Sequence, residues 1–170
     1  LNLAPPRSVN KMTEVYIEAA EQAGFNFTPD FNGKQQNGVG YYTFTQLKGE
    51  RHSAEAAYID PIRHRANLTI LSDRKTLRVA MDGRKAVGIE VEYEGHKEEI
   101  RAHEIILSTG SFVSPQLLML SGIGDRKELE THGISVVHHL PGVGKNLQDH
   151  LDITLEYKSK TTGPYGISWK

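Results

Sequence analysis

Ile105-Ile106-Leu107-Ser108-Thr109-Gly110-Ser111-Phe112-Val113-Ser114-Pro115-Gln116-Leu117-Leu118-Met119-Leu120-Ser121-Gly122 is the stretch on which the fold turns. Ile105-Ile106-Leu107 is apolar on both faces, the pattern of a strand buried between layers, and its length suits a central strand. It runs into Thr109-Gly110, where the lack of a Cβ lets backbone approach a ligand closely. Ser114 then reads as an N-cap, Pro115 as the first helical residue, and Leu117, Leu118 and Leu120 as the apolar face of a short helix ending before Gly122. A helix start carries free N–H groups, so this junction can face a polar or anionic group.

Upstream, Leu68–Leu71 and Leu77–Met81 read as strands, and Asp82-Gly83 as a hairpin turn with positive φ at its centre. Val87, Ile89, Val91 and Tyr93 alternate with Gly88, Glu90, Glu92 and Glu94, one face buried and one wet, and Glu94-Gly95 turns the chain again. The result is a β-meander. Downstream, Asp125 with Glu128 resembles a capping box for a helix that ends at Gly133, and Ile134 to His138 reads as a strand. Leu151, Ile153, Leu155 and Tyr157 alternate with polar neighbours as in a half-buried strand. If Leu151 points into the core, His150 and Asp152 share the opposite face as one polar edge.

Near the start, Met12, Val15, Tyr16, Ala19, Ala20 and Ala23 recur at helical spacing, with Gly24 as the left-handed cap. Residues 25–49 lose that period. Asp30-Phe31-Asn32-Gly33 is turn chemistry, and the whole stretch reads as a long, partly extended loop. Residues 53–59 suit a short helix that stops near Asp60, because Pro61 disfavours the α conformation in its predecessor.

Composition excludes several functions. Twenty basic residues are interleaved with 21 acidic ones for a net charge of −1, so no cationic stripe offers itself to nucleic acid. No apolar run approaches the roughly 18 residues of a membrane span. Zero cysteines remove disulfides, thiolate catalysis and thiolate metal sites, and fit a reducing compartment. The eight histidines show no metal-ligating pair on one helix face, and adjacent His138 and His139 would point to opposite faces of a strand. No serine sits in a Gly-x-Ser-x-Gly elbow. Gly142-Val143-Gly144-Lys145-Asn146-Leu147 lacks the third glycine of a dinucleotide loop and the Ser or Thr of a P-loop, so it reads as a tight turn.

The run from Ser108 to Gly124 resembles the second signature of the glucose-methanol-choline oxidoreductases. The likeness continues into Leu140-Pro141-Gly142-Val143-Gly144-Lys145-Asn146-Leu147-Gln148-Asp149-His150. Upstream, Asp30-Phe31-Asn32-Gly33, Gly49-Glu50-Arg51-His52-Ser53-Ala54 and Arg65-Ala66-Asn67-Leu68-Thr69 are similar to the family's intervening blocks, in the same order. Bacterial choline-dehydrogenase-like and alcohol-dehydrogenase-like members are the most similar in feel.

The resemblance implies an α/β piece of a two-domain flavoenzyme. Residues 1–62 would belong to the substrate domain, 63–150 to the FAD domain, and 151–170 to the start of the substrate-domain sheet. The cofactor implied is FAD, with Thr76 at its adenine end through backbone groups and Thr109, Gly110 and Ser114 lining the flavin side. The partner implied is a small alcohol, met by His150 and Asp152, whose α-hydrogen passes as hydride to the flavin. Choline-oxidising members tend to carry Glu where this chain has Asp152, a shorter reach for the same charge. The family's Gly-x-Gly-x-x-Gly opening and its C-terminal catalytic His are not found in these residues, so no catalytic residue is assigned and the chain alone is expected to be inactive. The start at Leu1 without Met reads as an excised piece, one expected to self-associate through unpartnered faces. Its expected location is the cytoplasm, with peripheral membrane attachment as an option. Two alternatives stay open: a non-redox lyase that keeps FAD as structure, and a stand-alone β-rich binding module.

Overall fold

The computed structural model describes residues 1–156, and these divide into two compact units. One comprises Leu1–Thr69 with residues 154–156, and the other Ile70–Ile153.

In the first unit, α1 (Lys11–Gln22) begins where the Asn10 side chain accepts the Met12 N–H. It ends as the apolar spacing predicts. Gly24 takes φ +93°, the Phe25 N–H reaches the Ala20 carbonyl and the Gly24 N–H the Glu21 carbonyl, a Schellman closure. Only Ile17 of this helix is buried. The loop that follows is organised around buried Thr28, whose hydroxyl donates to the Asn37 carbonyl and whose N–H donates to Val39. The Asp30 turn forms as expected, with its carboxylate accepting the Asn32 N–H at 2.9 Å.

Within the stretch read as loop, β1 (Gln46–Leu47) and β2 (Glu50–Arg51) form a small hairpin across Lys48-Gly49, both at positive φ. The expected short helix is a π-helical turn, Glu55–Ile59, that passes directly into a 3₁₀ turn, Asp60–Ile62. Pro61 therefore tightens the coil rather than ending it, since an early helical position needs no N–H from proline.

The second unit is built on the meander β3 (Lys75–Asp82), β4 (Lys85–Tyr93) and β5 (His96–Arg101), antiparallel in that order. Val91 at the centre of β4 is 1% exposed, and Val79 of β3 is also buried. The outer face carries charge in pairs: Arg78 and Lys97 both meet Glu90, and Arg74 meets Glu98 while stacking over Tyr93. The first turn is Gly83-Arg84 rather than Asp82-Gly83, one residue later than the sequence suggests, because Asp82 still pairs with Lys85. The second turn is Glu94-Gly95, as expected, at φ 49° and 79°.

Beyond the meander come α2 (Gly110–Leu120), β6 (Ile123–Gly124), α3 (Arg126–Thr131) and β7 (His138–His139), with β7 parallel to β6. Asp125 caps α3 by accepting the Lys127 and Glu128 N–H groups, and Leu129 of α3 is 1% exposed. Only half of the capping box forms, because the Glu128 carboxylate turns instead to Lys145 Nζ at 2.9 Å. Residues 140–145 make the tight turn expected of the glycine cluster, with Val143 buried.

Four expectations need correction. Leu68–Leu71 forms no strand, and the strand read over Ile134 to His138 shrinks to His138–His139. Ile105–Leu107 is neither a strand nor buried: Ile106 is 80% exposed, and residues 103–108 make no backbone–backbone hydrogen bond among the described residues. An apolar run becomes a strand only when another strand satisfies its N–H and C=O groups. The segment 151–156 also lacks strand structure; Leu151 is 97% exposed, so the face argument for His150 and Asp152 fails. Tyr157 and the rest of 157–170 lie outside the described residues.

Candidate functional site

The start of α2 departs most from the sequence reading. The helix begins four residues before Ser114, since Gly110 at φ +87° turns the chain from Thr109 straight into helix, and Pro115 sits inside rather than at the first position. Proline there forgoes the bond to the Ser111 carbonyl, a cost borne in the middle of the helix. Ser114 is not the N-cap. Its hydroxyl reaches back to accept the Thr109 N–H at 3.2 Å and lies 3.0 Å from Thr109 Oγ1. No side chain caps the first turn, so its N–H groups are open to an incoming acceptor. The space where a Gly110 Cβ would stand is empty, which leaves the backbone there approachable from outside.

This helix start borders a cleft of about 270 Å³ in the second unit. Its walls are apolar, from Ile89 and Ile100 on the meander, Ile105 on the connecting segment and Leu117 on α2. Its polar groups are Thr76 on β3, Thr109 at the start of α2, and Glu104. Thr76 and Thr109 are thereby brought to one cleft across 33 positions of sequence (109 − 76). A pocket with apolar walls and few polar groups is the usual form of a small-molecule site.

His150 and Asp152 do not line the cleft. Both are exposed, and the His150 N–H is engaged by the Asp149 carboxylate at 2.8 Å. The adjacent histidines of β7 are each held separately: His138 Nδ1 lies 3.0 Å from Arg84, and His139 Nδ1 accepts the Arg126 N–H.

Titrating groups with clear shifts sit in surface ion pairs. The Arg78 hydrogen bond holds Glu90 below the usual carboxylate range, with Lys97 adding to it. The Glu128 carboxylate raises Lys145, and Asp60 and Glu55 raise Arg63.

Sequence reasoning missed Ser121. It is 5% exposed, its hydroxyl accepts the Val79 N–H of β3 at 2.8 Å, and it donates to the Leu117 carbonyl one turn back. The spacing from Leu117 was a legible signal for the second bond, since serine commonly bonds back four residues within a helix. The bond to Val79 joins positions 42 residues apart and leaves no local trace.

Comparison with known proteins gives this geometry its context. A family model described as GMC oxidoreductase matches residues 4–152. The alcohol dehydrogenase [acceptor] of Pseudomonas putida is 40% identical over 96% of this chain and 30% of its own length. The mitochondrial choline dehydrogenase of Homo sapiens is 47% identical over 83% of this chain and 24% of its own. Among solved structures, pyridoxine 4-oxidase from Mesorbium loti superposes with a TM-score of 0.76 at 28% identity, over 82% of this chain and 28% of that one. An FAD-dependent oxidoreductase from Chaetomium thermophilum gives 0.78 at 27% identity, over 83% and 25%. The chain thus spans 24% to 30% of the length of these relatives. With the family model covering most of its length, the chain belongs to the GMC oxidoreductase family.

Proposed function

We propose that a full-length protein carrying this chain is an FAD-dependent oxidoreductase that oxidises the CH–OH group of a small alcohol, choline-like or another primary alcohol, to the aldehyde. The observation that carries this reading is the family match over residues 4–152, joined by relatives named as alcohol and choline dehydrogenases. The residues present suit the cofactor. Thr76 and Thr109 line a largely apolar cleft, and Gly110 opens an uncapped helix start beside it. When bound, FAD supplies the two-electron acceptor for the alcohol's hydride.

This chain's own part is binding and orientation. Backbone and hydroxyl at Thr76 and Thr109 offer hydrogen bonds, the first turn of α2 faces a polar or anionic portion, and Ser114 steadies Thr109 from behind. Residues 63–150 form the flavin side in this reading, while 1–62 and 151–170 form the substrate side. His150 and Asp152 are offered to the substrate, with the Asp152 carboxylate attracting a cationic head. The working compartment we assign is the cytoplasm, with any membrane association peripheral; no helix among the described residues is long and apolar enough to cross a bilayer.

The test is product analysis. The purified full-length protein is given choline and a series of neutral primary alcohols with an artificial electron acceptor, and aldehydes are identified directly. Aldehyde formation is expected; a flavin-loaded protein that oxidises none of them would overturn the reading.

A further inference from the structure

We infer that Ser121 is a positioning residue for the cleft, setting the distance between strand β3 and helix α2. This inference rests on the reading that Thr76 and Thr109 face the flavin cofactor. In the meander, β3 pairs with β4 on one edge only, and its other edge has no strand partner among the described residues. The Val79 N–H on that free edge is satisfied by a single atom, the Ser121 hydroxyl, which simultaneously donates to Leu117 at the end of α2. The clasp is buried, so water cannot take its place without opening the packing.

What the clasp joins are the two walls of the cleft. Val79 lies three residues beyond Thr76 on β3, and Leu117 is itself a wall residue on the helix that starts after Thr109. Between Thr76 and Val79 the pairing with β4 slips by one residue, because Thr76 faces Val91 while Arg78 faces Glu90. A bulge frees the strand locally from its ladder. Thr76 stays paired with Val91 and Val79 with Ile89 on either side of that bulge, so the clasp at Val79 places the paired strand, and Thr76 with it, relative to α2. Without the hydroxyl, β3 and α2 would keep their apolar contacts but lose the one directional bond that sets their separation.

The test uses the full-length holoenzyme and its apo form. S121A, S121T and the core variant L129V, which loses one methylene in α3 away from the cleft, are compared for FAD dissociation constant by flavin fluorescence and for thermal midpoint. Loss of a buried hydrogen bond that aligns the site is expected to weaken FAD binding about tenfold in S121A. S121T, which retains a hydroxyl, is expected to recover most of that loss, and L129V to bind FAD as wild type despite a lowered midpoint. Should S121A not accumulate as folded protein, S121C takes its place with the same expectation of weakened binding. Equal weakening in S121A and L129V, or unchanged affinity in S121A or S121C, overturns the inference while the functional reading stands. A wild type that binds no FAD overturns both.

Discussion

Replacing Gly122 with Ala probes the joint between α2, β6 and β7 more severely than its size suggests. Gly122 holds φ +82°, and a Cβ there would stand 2.5 Å from the Ser135 carbonyl and 2.8 Å from Val137 Cγ2. The Gly122 carbonyl also accepts the Val137 and His138 N–H groups, so the strand cannot retreat without losing those bonds. The left-handed conformation costs about 1–2 kcal/mol for a residue with a Cβ. Forcing a methyl into a filled site adds about 1–3 kcal/mol. Gly133 provides the control: it holds φ +69° at the end of α3, with nothing within 4 Å of its would-be Cβ. Gly133→Ala should therefore cost the conformational part alone, and the two variants should differ by about 1–3 kcal/mol. For a unit of this size that difference is roughly 5–20 °C in midpoint. Thermal unfolding of both variants of this chain by circular dichroism reads it directly. Equal midpoints for the two would refute the close contact with residues 135–137.

Three further outcomes follow from particular groups. Because Arg78 holds the folded Glu90 carboxyl low, Glu90 stabilises above its unfolded pKa and that contribution is lost as pH falls through the folded value. Glu90→Gln should accordingly sit below wild type at neutral pH and converge with it as pH falls below the ordinary carboxylate range, and a constant gap in urea midpoints between neutral and acid pH would refute the pairing. Ile106, Phe112, Leu151 and Ile153 are exposed, so this chain should self-associate as its concentration rises, and light scattering showing a clean monomer at high concentration would contradict this. In a full-length enzyme, Asp152→Asn should raise KM for a cationic alcohol more than for a neutral one, more so at low salt; equal effects on both substrates would remove Asp152 from the site.

Local chemistry made some of this structure legible. Gly24 closes α1, and Asp125 and Gly133 bound α3, because caps are decided by atoms within one turn; the Asn10 cap of α1 was not read. The meander was readable for the same reason, since alternation and turn glycines act between neighbours. Ile105–Leu107 failed because burial of an apolar run depends on a partner strand that periodicity does not reveal. Ser114-Pro115 misled because two favourable start residues were outweighed by Gly110, whose left-handed φ begins α2 earlier. The cleft itself was half visible: Thr76 and Thr109 were named separately, but their meeting depends on how the meander packs against α2. His150 and Asp152 were placed by assuming that Leu151 was buried, and its exposure removes that premise.

Flavin-dependent oxidation of an alcohol is decided by the anaerobic half-reaction. A full-length protein carrying this chain is mixed with an alcohol in the absence of oxygen and any added acceptor, while its visible flavin spectrum is followed. Denaturation of the untreated enzyme should release FAD, and the bound flavin should bleach in step with formation of one aldehyde per flavin. FAD that remains oxidised with every alcohol, whether cationic or neutral, would contradict it and leave the cofactor a structural role.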